Sequence, residues 1–183
     1  MKCILGLDIS TSITGATILS ETGDILYCES WDTRNKKHFP TLFHKAEFIK
    51  NKLKDLHVDY NIHKVFIEEN LQSFRSGFSS AKTISTLAKM NGIVSYIVFS
   101  ELGIEPEYLA ATSARKLSGI TVSRGTKAKQ KVLEHILDNE KSFLIFYTKQ
   151  GNPVPGTYDR ADSLVIAKAG LEVWKQTKSD SES

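Results

Sequence analysis

ILGLDISTSITG, residues 4–15, decides the fold, because a strand-length apolar run ends there on Asp8 and a turn of small polar residues follows. A second stretch, YDRADSLVIA at residues 158–167, carries Asp159 and Asp162 where an apolar helical pattern begins. Residues at i and i+3 share one face of a helix, and acids in a first helical turn are stabilised by the positive end of the helix dipole. Both stretches therefore place carboxylates at the end of a regular element.

A third motif of the same form lies between these two. KVFIEEN, residues 64–70, is a buried-strand pattern that ends on Glu68. Ligand groups converge where strands end at one edge of an α/β sheet, so we expect Asp8 and Glu68 to meet there and to face the two acids of the last helix. Four carboxylates repel one another, and the usual compensation is a divalent cation such as Mg²⁺, for which Mn²⁺ can substitute. Two such ions about 4 Å apart activate water and stabilise the leaving oxygen of a phosphodiester. The pattern predicts a metal-dependent phosphodiesterase.

Each acid also has a purely structural interpretation. Asp8 can make a turn by hydrogen bonding through its side chain, and Asp159 can be an N-cap. Glu68 and Glu69 can be solvated charges at a strand end, which is the better interpretation for Glu69. The occurrence of all four acids at the ends of regular elements favours a functional site. In particular, Asp162 directly precedes an otherwise apolar run, where the helix turns inward.

Composition is that of a soluble globular protein. With 183 residues the chain suits one domain with one core, and we expect that domain at residues 1–176 with a disordered tail at 177–183. No apolar stretch approaches the roughly 20 residues that span a bilayer, and no signal-peptide pattern is present, so we expect a cytoplasmic protein. Cys3 and Cys28 lack the spacing of metal ligands, and Cys3 is expected to be a reduced, buried thiol.

Positive charge is concentrated in one part of the chain. The net charge is +3, but residues 111–150 hold eight Lys or Arg against three acids, a local +5 that leaves −2 elsewhere. Such a segment indicates an anionic polymer as partner. The same pattern is also typical of a solvated helix surface, so it does not decide the function by itself.

The hydrophobic pattern predicts the order β-β-β-α-β-α-β-α-α. The predicted strands are 3–9, 15–19, 25–31, 63–68 and 105–109, and the predicted helices are 42–56, 79–102, 127–137 and 160–174. Residues 142–158 are predicted to be a loop with an apolar knot, FLIFY. This order indicates an α/β fold: a mixed five-stranded sheet, an antiparallel N-terminal meander plus parallel strands, with helices on both faces.

These motifs resemble the RuvC family of Holliday junction resolvases, within the RNase H-like (retroviral-integrase) superfamily. The resemblance covers nearly the whole chain, and the closing motif is its most specific part. The longer 140–158 stretch and the divergent middle favour a phage-type member. The matching residues are Gly6-Leu7-Asp8, Thr14-Gly15, Ile67-Glu68 and Asp159 to Ala167.

The resemblance implies a homodimer, with the 79–102 helix at its interface, that cuts four-way DNA junctions as a crossover junction endodeoxyribonuclease using Mg²⁺. It implies that the catalytic and metal-binding acids are Asp8, Glu68, Asp159 and Asp162. The family's two lysines match Lys116 and Lys129 best. Lys129 is the expected catalytic lysine, and an irregular spacing leaves Lys127 as its competitor. DNA contacts are expected from Arg115, Lys116, Arg124 and Lys127. An aromatic side chain is expected to insert at the crossover: Leu71 holds the nearest position, and Phe74 or Phe78 can substitute.

Other functions remain open at this stage. An RNase H or a less selective branched-DNA and flap nuclease would use the same metal chemistry. A non-catalytic nucleic-acid binding module could keep the fold, although the intact carboxylate set argues against it. LGLDISTS also resembles the first phosphate motif of the actin-hexokinase superfamily, but the second phosphate loop that those kinases need is not present in the sequence.

Overall fold

The structure is a computed structural model, which describes residues 1–69, 81–123 and 127–181. These residues form one mixed sheet in the order β3-β2-β1-β4-β5. Its first three strands are an antiparallel meander, and β1 pairs with β4, and β4 with β5, in parallel. The predicted mixed five-stranded sheet is confirmed. The strands are β1 (Cys3–Asp8), β2 (Ile13–Ser20), β3 (Ile25–Asp32), β4 (Ile62–Glu68) and β5 (Glu107–Leu109).

Helices cover both faces of this sheet, as the order of elements predicts. They are α1 (Leu42–Asp59), α2 (Ala81–Leu102), α3 (Ala111–Leu117), α4 (Ala128–Asn139) and α5 (Thr157–Ser181). One core lies between the sheet and helices α1 and α2, and a second lies between the sheet and helices α3, α4 and α5. In the described residues, no helix is long and apolar enough to span a membrane.

Two expectations about helices are wrong. The sequence does not predict α3, because this helix of seven residues buries only Ala114 and so has no apolar period. The expected disordered tail is helical as far as Ser181. There Trp174 is buried in the core beside α5, and Lys178 lies 3.8 Å over its ring within the same helix. Lys178 also lies 3.8 Å from a carboxylate oxygen of Glu21, so the end of the helix contacts the turn between β2 and β3.

The alternation of side chains along the strands decides which face each acid occupies. In β1, Leu5 and Leu7 belong to the core under α1 and α2, whereas Ile4 belongs to the core under α5. Since successive side chains of a strand point to opposite faces, Asp8 shares the α5 face with Ile4. In β4, Phe66 lies in the α5 core, and Glu68 follows it on the same face by the same rule.

The segment between α4 and α5 is irregular, apart from a bridge between Tyr147 and Pro153. Its apolar knot is anchored by Phe143, which is buried, while Leu144 and Phe146 are exposed. The Arg160 guanidinium lies 4.7 Å over the Phe143 ring and donates to the carbonyl of Leu144 at 3.0 Å. Both cysteines are free, and Cys3 is buried, as expected for that residue.

Candidate active site

Asp8 and Glu68 end neighbouring parallel strands on one face of the sheet. The register pairs Leu7 with Ile67, so the two acids follow at equivalent positions. Glu68 is partly buried, whereas Glu69 is exposed and its backbone N–H donates to Leu109 at 2.9 Å. This placement is the one expected for Glu68 as the site residue.

Helix α5 approaches this edge closely because glycines lie beneath it. A Cβ added to Gly15 would lie 1.9 Å from the backbone oxygen of Asp159, and one added to Gly6 would lie 2.4 Å from the backbone nitrogen of Ala167. A buried hydrogen bond of 2.8 Å joins the hydroxyls of Thr17 and Ser163 between the sheet and the helix. These contacts set the start of α5, with Asp159 in its first turn and Asp162 in the next, beside the ends of β1 and β4.

The electrostatics show that the four acids form one interacting group. Burial raises the pKa of Asp8 well above its ordinary 3.8, and the negative charges of Glu68, Asp162 and Asp159 raise it further. Burial, followed by the charge of Asp162, raises the pKa of Glu68 to about 7. Each acid therefore makes the ionisation of its neighbours less favourable.

The pKa values of the two acids of α5 are also raised. Burial raises the pKa of both Asp159 and Asp162, and the nearby Lys129 ammonium acts in the opposite direction on each. Arg34 and Asp32, at the end of β3, also act on Asp159, the first lowering and the second raising its pKa. The carboxylate group thus extends toward β3 as well as toward β4.

Lys129, in the first turn of α4, is the lysine that reaches the carboxylates. Its Nζ lies 3.4 Å from Oδ2 of Asp162, with 64% of the Lys129 side chain and 17% of the Asp162 side chain exposed. Burial lowers the pKa of Lys129, but the charges of Asp162, Asp8 and Asp159 outweigh it and leave the pKa raised. Its competitor Lys127 is the N-cap residue of α4 and is exposed.

The four carboxylates offer the oxygen ligands that a hard divalent cation prefers. Their side chains do not, however, point to one common position. In residues 1–69, 81–123 and 127–181, no three His, Cys, Asp or Glu side chains are close enough to hold one metal ion as they stand. The Lys129 ammonium lies within ion-pair distance of Asp162, one acid of this group. Oxygen ligands and mutually raised pKa values fit a divalent ion chemically, and the predicted metal ligands stay a prediction.

The predicted DNA contacts fall in different places. Arg115 lies beside the site, since it lines a cavity of about 100 Å³ together with Glu68, Lys129 and Asp162. Lys116, its neighbour on α3, is exposed. Arg124 and the candidates for the crossover aromatic lie outside the described residues, and these predictions remain as they are. The candidates are Leu71, Phe74 and Phe78.

Asn91 is a site residue that sequence reasoning missed. The buried side-chain amide of Asn91 on α2 donates from Nδ2 to the backbone carbonyl of Glu68 at 3.2 Å. The hydroxyl of Ser95 donates to the backbone carbonyl of Asn91 at 2.7 Å and lies 3.4 Å from Oδ1 of the Asn91 side chain. Buried polar groups need partners, so this pair ties the end of β4 to α2. Its signal in the sequence is an amide within the apolar pattern of a long helix.

Comparisons with known proteins give a clear structural likeness and no sequence match. No protein-family model and no protein of curated function matches the chain. The structure is similar to that of RuvC from T. thermophilus in complex with a Holliday junction substrate (TM-score 0.65, 14% identity, 97% of this chain and 98% of that one). It is also similar to a Thermus thermophilus RuvC structure (0.63, 17%, 96% and 97%). A third similar structure is the yeast mitochondrial Holliday junction resolvase Ydc2 (0.63, 16%, 96% and 80%). At these identities the likeness establishes the fold, and it confirms the predicted α/β, RNase H-like architecture.

Proposed function

We propose that this protein is a divalent metal-dependent endonuclease that resolves four-way DNA junctions. One observation carries the proposal: Asp8, Glu68, Asp159 and Asp162 interact electrostatically at one sheet edge, beside a lysine. The fold in which they do so is shared with resolvases, one of which was solved with a Holliday junction. A non-catalytic module would have no need to maintain four carboxylates whose pKa values are raised by burial and, for Asp8, Glu68 and Asp162, also by the charge of a neighbouring acid of the group.

These four acids would hold Mg²⁺, with Mn²⁺ as a substitute and two ions as the expected number. When bound, the metal polarises the phosphate and lowers the pKa of a water molecule that acts as the nucleophile. The protein supplies the partly buried environment around the acids, which strengthens every charge interaction there. Asn91 holds the end of β4, and with it the backbone of Glu68, in place.

Lys129 has the position of a group that acts in the transition state. Its ammonium pairs with Asp162 and also interacts with Asp8 and Asp159. With the carboxylate charge neutralised by a cation, the lysine can turn to the phosphate and offset the negative charge that develops on it. Arg115, which lies beside Glu68 in the same cavity, is placed to bind the backbone of the DNA.

We further propose that two copies of the chain pair through the outer face of α2, which would present two such sites to one junction. Supporting this, the aromatic side chains of Tyr96, Phe99 and Tyr108 are 68%, 57% and 49% exposed. They line a groove of about 430 Å³ together with Pro106. Neighbouring exposed aromatic side chains of this kind mark interaction surfaces. Sedimentation of the wild type and of Phe99→Lys tests this: a dimer that the substitution dissociates is expected, and a monomeric wild type would contradict it.

The function is tested with labelled four-way junction, linear duplex, flap and RNA–DNA hybrid, each with and without Mg²⁺. Metal-dependent cleavage of the junction in preference to the other three is expected. Equal cleavage of junction and flap would indicate a branched-DNA nuclease, and preference for the hybrid an RNase H. A matched pair of variants ties the activity to the site: Glu68→Gln should abolish it and the exposed neighbour Glu69→Gln should not. Junction binding without any cleavage in Mg²⁺ or Mn²⁺ would refute the proposal.

A further inference from the structure

A second set of positive charges, which the motifs do not include, follows β3. We call residues 34–38 the 34–38 segment; it contains Arg34, Lys36, Lys37 and His38 and joins β3 to the region before α1. All of its residues are exposed. Counting Asp32 before it, the formal charge is +3 − 1 = +2 with His38 neutral.

The segment is held rigidly against the turn that follows Asp8. Thr33 is buried, and its backbone N–H and its hydroxyl both donate to the carbonyl of Ser12, at 2.8 and 3.1 Å. Ser12 belongs to the β1–β2 connection, one residue before β2 begins. The start of the segment is therefore fixed beside the sheet edge that carries the carboxylates.

The rest of the segment is a closed turn. The carbonyl of Asn35 accepts from the backbone N–H of His38 at 3.1 Å and of Phe39 at 2.8 Å, and the Asn35 side chain accepts from the N–H of Lys37 at 3.0 Å. Phe39 then packs on Phe48 of α1, with ring centroids 5.2 Å apart. The lysines are thus presented on an ordered backbone, so binding through them costs little chain entropy.

The segment lies on the opposite side of the acids from Arg115. In the sheet register Asp8 pairs with Gly15, and Gly15 pairs with Ser30, so the end of β3 is at the same edge, two strands away. Arg34 interacts with the charge of Asp159, whereas Arg115 shares a cavity with Glu68. Positive groups therefore flank the carboxylates on both sides.

Two of these cations are free to bind an anion. Arg34 pairs with Asp32 through a short 2.6 Å contact, which leaves the charge of Lys36 and Lys37 uncompensated by any ion pair within the described part of the chain. Two strand spacings amount to about 10 Å, and a DNA strand carries one phosphate about every 3.4 Å along its axis. A DNA strand that has one phosphate at the acids and runs toward β3 thus has further phosphates beside the end of β3, from which the 34–38 segment continues.

We propose that the 34–38 segment binds the phosphate backbone of the DNA strand on the β3 side of the carboxylates, chiefly through Lys36 and Lys37. This deepens the proposed function, on which it rests: the strand to be cut crosses the acids between Arg115 on one side and the 34–38 segment on the other. The arrangement answers a physical need, because a group of acids repels a polyanion unless cations on both sides compensate for it.

The test measures the salt dependence of junction binding in EDTA, where no cleavage occurs, for wild type and Lys36→Gln/Lys37→Gln. Loss of two phosphate contacts should reduce the slope of log K against log salt by about 1.8. Over the decade from 1 M to 0.1 M salt this corresponds to about 60-fold weaker binding at 0.1 M. Lys36→Arg/Lys37→Arg keeps the charges and should keep the slope of the wild type.

The matched control is Lys54→Gln/Lys175→Gln, which removes the same charge from exposed positions elsewhere. Lys54 pairs with Glu101, and Lys175 lies near Leu19 at the far end of β2. A slope for Lys36→Gln/Lys37→Gln equal to that of this control, with unchanged thermal melts, would overturn the inference.

Cleavage by the wild type separates the two proposals. If the wild type cleaves the junction and Lys36→Gln/Lys37→Gln keeps the wild-type slope of log K against log salt, this inference is overturned and the proposed function stands. A wild type that binds without cleaving, while the lysine variants lose slope, overturns the proposed function and leaves the inference standing. No binding by the wild type overturns both.

Discussion

Replacing Glu68 by Gln should make the metal-free protein more stable above pH 7. Burial and the charge of Asp162 raise the pKa of this carboxyl from 4.5 to about 7 in the folded state. Between these pH values the folded protein holds a proton that the unfolded chain has lost, so the free energy of unfolding falls as pH rises. The stabilisation is complete below about pH 4.5 and is lost as pH rises through about 7. Gln cannot ionise and avoids this loss.

The size of the effect follows from the shift. The pKa of Glu68 is raised by about 2.5 units (7 − 4.5), and each unit corresponds to about 1.36 kcal/mol. The pH-dependent change in the free energy of unfolding that comes from Glu68 can therefore be at most about 3 kcal/mol. Glu68 is partly accessible to solvent, and its charge also raises the pKa of Asp8, so the cost of ionisation is spread over the group. We therefore expect about 1–3 kcal/mol of additional pH dependence in the wild type.

Urea unfolding in EDTA at pH 5 and pH 8 measures this directly. The wild type should lose about 1–3 kcal/mol more than Glu68→Gln between the two pH values. Glu69→Gln, the exposed neighbour, should follow the wild type. Mg²⁺ at pH 8 should stabilise the wild type more than Glu68→Gln, because a ligand of the folded state shifts unfolding by mass action. If the free energy of unfolding changed with pH by the same amount in the wild type and in Glu68→Gln, ionising Glu68 would cost the folded protein nothing. The reasoning about the acid group would then fail.

Three further predictions test separate parts of the site, two of them by comparing a pair of variants. Asp8→Asn should lower single-turnover cleavage by several orders of magnitude while the Kd for the junction stays near that of the wild type, since phosphate contacts dominate affinity; near-normal cleavage would refute the mechanism. Lys129→Ala should lower the single-turnover rate at saturating protein more than it lowers the affinity for the junction. Lys127→Ala should instead weaken junction binding and flatten its salt dependence by about one counterion. The reverse pattern would make Lys127 the catalytic lysine. Gly15→Ala places a Cβ 1.9 Å from a backbone oxygen of α5, so it should cost about 1–3 kcal/mol of stability in urea unfolding and also slow cleavage. Gly92→Ala, on α2 with open space around it, is the control and should not destabilise.

Strand periodicity explains why the positions of Asp8 and Glu68 could be predicted from the sequence. Ile4 and Asp8 share one face of β1, and Phe66 and Glu68 share one face of β4, because side chains alternate with a period of two. Once the apolar members of these pairs are assigned to the α5 core, both acids must lie toward α5. The acids of the last helix needed only the i, i+3 relation to join them.

Features that depend on tertiary contacts could not be predicted in this way. Helix α3 buries one alanine and carries no apolar period. Beyond Trp174, α5 continues to Ser181 with a contact between Lys178 and Glu21, which lie far apart in sequence. The bond from Asn91 to the carbonyl of Glu68 joins α2 to β4 through a backbone group that no residue pattern marks.

The choice between Lys127 and Lys129 stays a prediction, but the apolar pattern of α4 in the sequence bears on it. Spacing between motifs leaves both lysines open, but Lys127 is the N-cap residue, with an extended backbone, whereas Lys129 lies in the first turn of α4. Lys129 stands at i−3, i−4 and i−7 from Val132, Leu133 and Ile136, which are the buried residues of that helix. Its side chain therefore continues the face that packs toward α5, and it ends at Asp162. The same offsets from Lys127 lead to Gln130, Lys131 and Glu134, none of which is buried. The apolar stripe of α4 thus favours Lys129 as the lysine of the site, on grounds independent of motif spacing.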